Sequence, residues 1–219
     1  MKKFVAFTLI LSACCIFTHA QIKKDAVLLG GQVSVYSSKP SGNSASPKTN
    51  NNNIFLNLSV GKAIKENTVI GLYGGYGQGK NENIYSISAS NISTSTTTSA
   101  GIFYRKYKSL GKNFYFFGEL NAGYRGYKQE YENRVIGAIT TSADTENGVE
   151  LGLTPGISYR LFKKLQLEVL MPSFAGLRYA TTKNSGSNIT TTKGSLFQLS
   201  SNLNSGLLNN MALGFKFVL

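Results

Sequence analysis

Cysteine and histidine are almost missing from this chain. Cys14, Cys15 and His19 are its only examples, and all three fall in the first twenty residues. That stretch reads as a leader. Lys2 and Lys3 make a basic start, and Phe4 to Phe17 is apolar apart from Thr8 and Ser12. Thr18-His19-Ala20 then places small residues at the −3 and −1 positions before Gln21. This is the layout of a secretory signal peptide over residues 1–20, cut between Ala20 and Gln21. The apolar part is too short and too early to serve as a spanning helix. Leu11-Ser12-Ala13-Cys14 leaves a second reading open, a lipobox that would acylate Cys14. Apolar residues continue past Cys14, as they do inside a longer leader.

Without the leader, one domain remains over residues 21–219, with no thiol and no imidazole. That excludes disulfides, Cys or His zinc sites, and Ser-His or Cys-His nucleophiles. No cofactor and no metal is expected. Charged residues are few, at 15%, and no later stretch holds 18 consecutive apolar residues, so no helical span is expected. Gly, Ser, Thr, Asn, Tyr and Phe are abundant instead, a composition that favours strands and turns over helices.

Apolar residues alternate with small or polar ones in eight places, the period of a strand with two different faces. Val27, Leu29, Val33 and Val35 oppose Gly30, Gln32 and Ser34. Ile54, Leu56, Leu58 and Val60 oppose Phe55, Asn57, Ser59 and Gly61. Ile70, Leu72 and Tyr76 oppose Gly71, Tyr73, Gly75 and Gly77. Ala100, Ile102 and Tyr104 oppose Gly101, Phe103 and Arg105. Phe114, Phe116, Leu120, Ala122 and Tyr124 oppose Tyr115, Glu119, Asn121, Gly123 and Arg125. Val149, Leu151, Leu153, Ile157 and Tyr159 oppose Glu150, Gly152, Thr154, Gly156 and Ser158. Leu165, Leu167, Val169, Met171 and Leu177 oppose Gln166, Glu168, Gly176 and Arg178. Met211, Leu213, Phe215, Phe217 and Leu219 oppose Ala212, Gly214 and Lys216.

The connections alternate in length. Short ones centre on Ala63–Asn67, Ser109–Asn113 and Leu161–Lys164. Long ones cover Ser38–Asn53, Gly79–Ile92, Lys128–Asn147 and Ala180–Ser195. The long ones are rich in Ser, Thr, Asn, Gly and Lys, and are expected to be irregular and mobile. An even number of strands with alternating short and long connections is the plan of an up-and-down transmembrane β-barrel, short turns in the periplasm and long loops outside. A soluble barrel would turn its apolar parity inward. Here the other parity carries Glu, Arg, Asn, Gln and Gly, which suits a crowded polar lumen, while the Leu/Val/Ile/Phe parity suits acyl chains. Tyr104, Phe114, Tyr159, Phe162 and Phe217 would form the periplasmic aromatic girdle, and Tyr76 and Tyr124 the outer one.

Gly101-Ile102-Phe103-Tyr104-Arg105-Lys106-Tyr107, followed by Leu110-Gly111-Lys112-Asn113-Phe114-Tyr115-Phe116-Phe117-Gly118-Glu119, resembles a hairpin of the outer-membrane β-barrel domain family of small eight-stranded barrels. Leu151 to Tyr159 resembles that family's next strand, and Gly214-Phe215-Lys216-Phe217 its closing strand. The resemblance implies an all-β, eight-stranded antiparallel fold and a place in the outer membrane. It implies no reaction.

The remaining motifs point to structure. Gly74 to Lys80 matches G-x-x-x-x-G-K, but Asn81 follows and no helix does, so a phosphate loop is rejected. Asn57, Asn91 and Asn188 begin chance glycosylation sequons. Arg105, Glu119, Arg125, Glu150, Glu168, Arg178 and Lys216 all take the inward parity. They are read as a lumen charge network, because buried charges persist only with partners. Bulk for the lumen comes from Tyr36, Phe55, Tyr73, Phe103, Tyr115, Phe117 and Tyr127. The net charge is +13, or +11 without Lys2 and Lys3, and the excess gathers on the short-turn rim, where lipid phosphates would attract it. Nucleic acid is excluded as a partner by the export reading. Outer-membrane lipids are the expected contacts of a monomer, with any protein partner unspecified. The expected role is structural or surface-interacting without catalysis. The alternative is a narrow conduit for small solutes. A lipid-modifying enzyme lacks a catalytic constellation, and a soluble ligand-binding barrel conflicts with the outward apolar parity.

Overall fold

The computed structural model describes residues 22–38, 48–86, 89–111, 113–135, 138–171, 174–186, 189–201 and 211–219. The leader, residues 1–20, and the cut before Gln21 lie outside the described residues, as does most of the connection expected over Ser38–Asn53.

The described residues form ten strands: β1 (Val27–Ser38), β2 (Lys48–Lys65), β3 (Thr68–Ser86), β4 (Ala89–Ser109), β5 (Phe114–Val135), β6 (Ala138–Arg160), β7 (Leu165–Leu170), β8 (Ala175–Gly186), β9 (Ile189–Ser201) and β10 (Ala212–Val218). All pairings are antiparallel. Eight strands close a ring, in the order β1-β2-β3-β4-β5-β6-β7-β10 and back to β1. Above it, β8 takes over from β7 along the upper half of β6, and β9 pairs with β8. The ring's stagger can be read from the register. From Leu213, the path through Val33, Leu56, Tyr76, Thr98 and Gly126 reaches Asn147 of β6. The opposite path through Val169 reaches Ile157, ten residues further along the same strand. Eight strands with that stagger tilt by about 40° and enclose a cylinder about 8 Å in radius to the backbone. Side chains alone can fill such an interior.

The handover from β7 to β8 has a cause in the sequence. Pro155 has no N–H to donate to the neighbouring strand, so the ladder breaks there. Its carbonyl still accepts from the Met171 amide at 3.0 Å. Pairing resumes at Leu153 and Ala175, after more residues have passed on the β7–β8 side than on β6. The segment read from sequence as one seventh strand is therefore two.

All eight alternations point as the residue pattern requires. Leu58, Leu72, Ile102, Leu120, Val149, Leu167 and Leu213 face outward and are exposed, whereas Phe103, Arg105, Phe117, Glu168 and Lys216 face inward and are buried. The outward apolar runs Phe114–Tyr124 and Val149–Tyr159 each span eleven residues, the length a tilted strand needs to cross a bilayer. At the lower end, Phe114 stacks near Tyr159 at 4.7 Å between centroids, and Phe215 meets Phe217 at 5.9 Å. At the upper end, Tyr179 and Phe197 join Tyr124 on one row.

The long connections are corrected by the structure. Gly79–Ile92, Lys128–Asn147 and Ala180–Ser195 are not irregular loops, since nearly all their residues lie in paired strands that run on beyond the apolar rows. Thr and paired Ser and Asn side chains form good ladders without an apolar face. The Asn91 amide, for example, meets Asn133 Oδ1 across β4 and β5 at 2.5 Å. Polarity on both faces removed the alternation that would have marked these segments as strand.

A ring that satisfies its backbone internally resists detergent until heated. The refolded protein should migrate at different positions on a gel before and after boiling. Identical mobility would contradict ring closure.

Candidate functional site

The lumen is built from the inward parity of the ring. Arg105 on β4 is at its centre, and its whole hydrogen-bonding fork is engaged. Nε and Nη2 each approach Glu119 Oε2 at 2.7 Å. Nη1 reaches both Glu168 oxygens at 2.8 Å and the Tyr107 hydroxyl at 3.0 Å. Tyr107 in turn donates to Glu168 at 3.3 Å. The guanidinium also lies 4.3 Å from the centroid of Phe117, where a cation gains from the ring face. The Arg105 and Glu168 side chains are only 4% and 2% exposed, while Glu119 retains 15%. Two carboxylates around one buried arginine call for a second cation, and Lys216 on β10 is its neighbour in the lumen. Its ammonium donates to Ser59 Oγ at 2.5 Å and lies 5.4 Å from the Phe103 ring. Gly30 makes this possible, because a Cβ there would collide with the Lys216 stem.

Below this layer the lumen is closed. Tyr107, Tyr115, Phe117, Val69 and Leu28 pack together there, while Phe103 and Leu170 of the same cluster flank the charge layer from its upper side. Gly156 leaves room for the Phe117 ring. Ser158 donates to Gln166 at 3.1 Å. The bottom is sealed by Ile22, which is fully buried. The segment before β1 folds under the β2–β3 turn. There the Ile22 carbonyl accepts from the Asn67 amide at 3.0 Å, and the Asn67 side chain accepts from the Ile22 amide at 3.2 Å. Asn67 adopts φ 56°, a left-handed conformation that Asn tolerates. Above the charge layer lies a cavity of about 90 Å³, lined by Gln32, Asn57, Tyr73, Asn121 and Glu150 among others. That is room for a few waters.

The seven charged residues expected in the lumen do not form one cluster. Arg105, Glu119 and Glu168 meet directly, with Lys216 alongside. Arg125 and Glu150 stand higher, 3.8 Å apart and partly exposed. Arg178 is opposite Glu150 in the register, yet it approaches Glu146 at 2.7 Å, out of line with its N–H bonds. Tyr107, Ser59 and Glu146 belong to these groups and were not singled out from sequence. Tyr107 shares the parity of Arg105, and Glu146 that of Glu150, so continuing the alternation by one or two steps would have found both. Tyr36, read as lumen bulk, is 42% exposed and fills nothing.

No family model and no curated protein matches the chain. Solved structures similar to it include Ail, the attachment invasion locus protein of Yersinia pestis, at 12% identity and a TM-score of 0.37, covering 90% of this chain and all of that one. A major outer membrane protein from Thermus thermophilus is similar at 12% identity and a TM-score of 0.47, covering 89% and 99%. Neisserial surface protein A is similar at 13% identity and a TM-score of 0.33, covering 88% and 96%. The chain's own geometry sets its class. A closed eight-stranded ring, apolar outside and polar inside, is a transmembrane β-barrel of the outer-membrane type.

Proposed function

We propose that this protein is a surface-interaction barrel whose protruding sheet pairs with an extended segment of another molecule. One observation carries the reading. Hairpins β3–β4, β5–β6 and β8–β9 rise well past the apolar rows, and among the described residues their sheet ends on an unpaired edge at β9. From Tyr124 to Val135, β5 climbs roughly 25–30 Å at its tilt. Among the described residues β9 pairs with β8 alone, and the described part of β1, which stops at Ser38, reaches only the lower end of β9. A free strand edge is a ready template for strand addition. Nothing in the lumen resembles a reaction centre. Its carboxylates face arginines, Glu119 and Glu168 at Arg105, Glu150 at Arg125 and Glu146 at Arg178, and among the described residues no group of three or more metal-ligating side chains occurs. The filled lower lumen weighs against a conduit.

Hydrogen exchange tests this. In the free protein, amides along the outer edge of β9 should exchange far faster than those of β4 or β5, and adding an extended threonine- and valine-rich peptide should protect them. A β9 already protected throughout, or unchanged by the peptide, would argue against the reading.

A further inference from the structure

The outer face of the β8–β9 hairpin carries four cross-strand pairs in order of height. Leu177 faces Leu199, Tyr179 faces Phe197, Thr181 faces Ser195, and Lys183 faces Lys193. Read upward, the face passes from aliphatic to aromatic, to hydroxyl, to cationic. All these side chains are exposed, and Phe197 and Leu199 are among the most exposed apolar residues of the molecule, at 72% and 75%. A phospholipid or glycolipid has the same sequence of chemistry along its length, with acyl chains, a polar linkage and then phosphate.

The top pair carries the argument. Like charges directly opposite on neighbouring strands repel. A lysine on an edge strand can serve to discourage aggregation, which would account for Lys193 on β9. It does not account for Lys183, because β8 is an interior strand paired on both sides. Among the described residues, no carboxylate stands in the pair's register row. In the same row, Thr145 separates Lys183 from Lys128, and Lys128 is already held by Glu130 at 2.6 Å. An anion between Lys183 and Lys193 would turn the repulsion into two attractions. The lysine row is four residues above Tyr179 and Phe197, about 10 Å higher at the barrel's tilt. Lysine stems can reach back down to the interface from that height.

We infer that the outer face of β8–β9 is a binding site for a phosphate-bearing lipid of the outer leaflet, with Lys183 and Lys193 clasping the phosphate and Tyr179, Phe197, Leu177 and Leu199 receiving the acyl part. This rests on the reading that the hairpins face outside the cell, and it makes no use of the free edge of β9. A clasped lipid would also explain how an exposed aromatic pair is covered at the membrane surface.

The test uses the full barrel refolded in phosphatidylcholine nanodiscs and titrated with lipopolysaccharide, its dephosphorylated form, or inorganic phosphate. The probe is a fluorophore at Thr181 (as Thr181→Cys). The phosphorylated lipid should bind at least tenfold more tightly than the dephosphorylated form, and millimolar phosphate should not compete. Lys183→Gln with Lys193→Gln should weaken binding about 30-fold, roughly fivefold for each lysine removed. Their heat-modifiable mobility confirms that the variants are folded. Equal binding of the dephosphorylated lipid, unchanged binding by the double variant, or equally tight binding of phosphate alone would each overturn the inference. Because peptide protection of β9 is measured without this lipid, either reading can fail while the other stands.

Discussion

Replacing Arg105 with methionine should lower folding stability by about 3–5 kcal/mol, because it leaves a buried carboxylate without its cation. Glu168 is the group left stranded. It is 2% exposed, and in the variant its remaining hydrogen-bond partner is the Tyr107 hydroxyl at 3.3 Å. The Lys216 ammonium donates to Ser59. Both carboxylates border the cavity, but Glu119 keeps 15% of its side chain exposed against 2% for Glu168 and is therefore hydrated more easily. The arginine, and not Glu119, is therefore the residue whose loss is felt most. Adding Glu168→Leu to Arg105→Met should recover most of the loss, because removing both partners of a buried pair is far cheaper than removing one. Urea titration of folding into lipid vesicles measures both variants. A loss below about 1 kcal/mol for Arg105→Met would mean the lumen is wet enough to solvate Glu168.

The parts of this fold that were legible in the sequence are those where two environments meet across one strand. Between Phe114 and Tyr124 one face meets lipid and the other a polar lumen, so alternation is strict and the parity of Arg105, Glu119 and Glu168 follows directly. Above the membrane both faces of the same strand meet water. From Lys128 to Val135 the period vanishes although the strand continues, and a paired ladder reads as loop. Phe197 and Leu199 were lost for a related reason, since a strand bordered by a polar run gave too short an alternating signal. Pro155 was visible in the sequence, but its effect falls on the neighbouring strand, and only pairing shows that β7 stops opposite it. Ile22 could not be placed at all, because nothing local says that a residue before the first strand tucks into the lumen. The choice of Glu146 over Glu150 by Arg178 likewise depends on side-chain reach in three dimensions and not on register alone.

Lumen closure links these observations to function. Arg105, Glu168, Phe117 and Ile22 together close the short-turn half of the lumen, and the ring is too narrow to leave a way around them. If closure holds, the protein acts through its outer surface; if it fails, solute passage becomes the better account. Recording single-channel current from the protein in a planar bilayer decides between them. The closed lumen predicts no steady, reproducible openings for the wild type across moderate voltages. Steady openings of one defined size, seen with the wild-type protein and absent from a mock preparation, would contradict it.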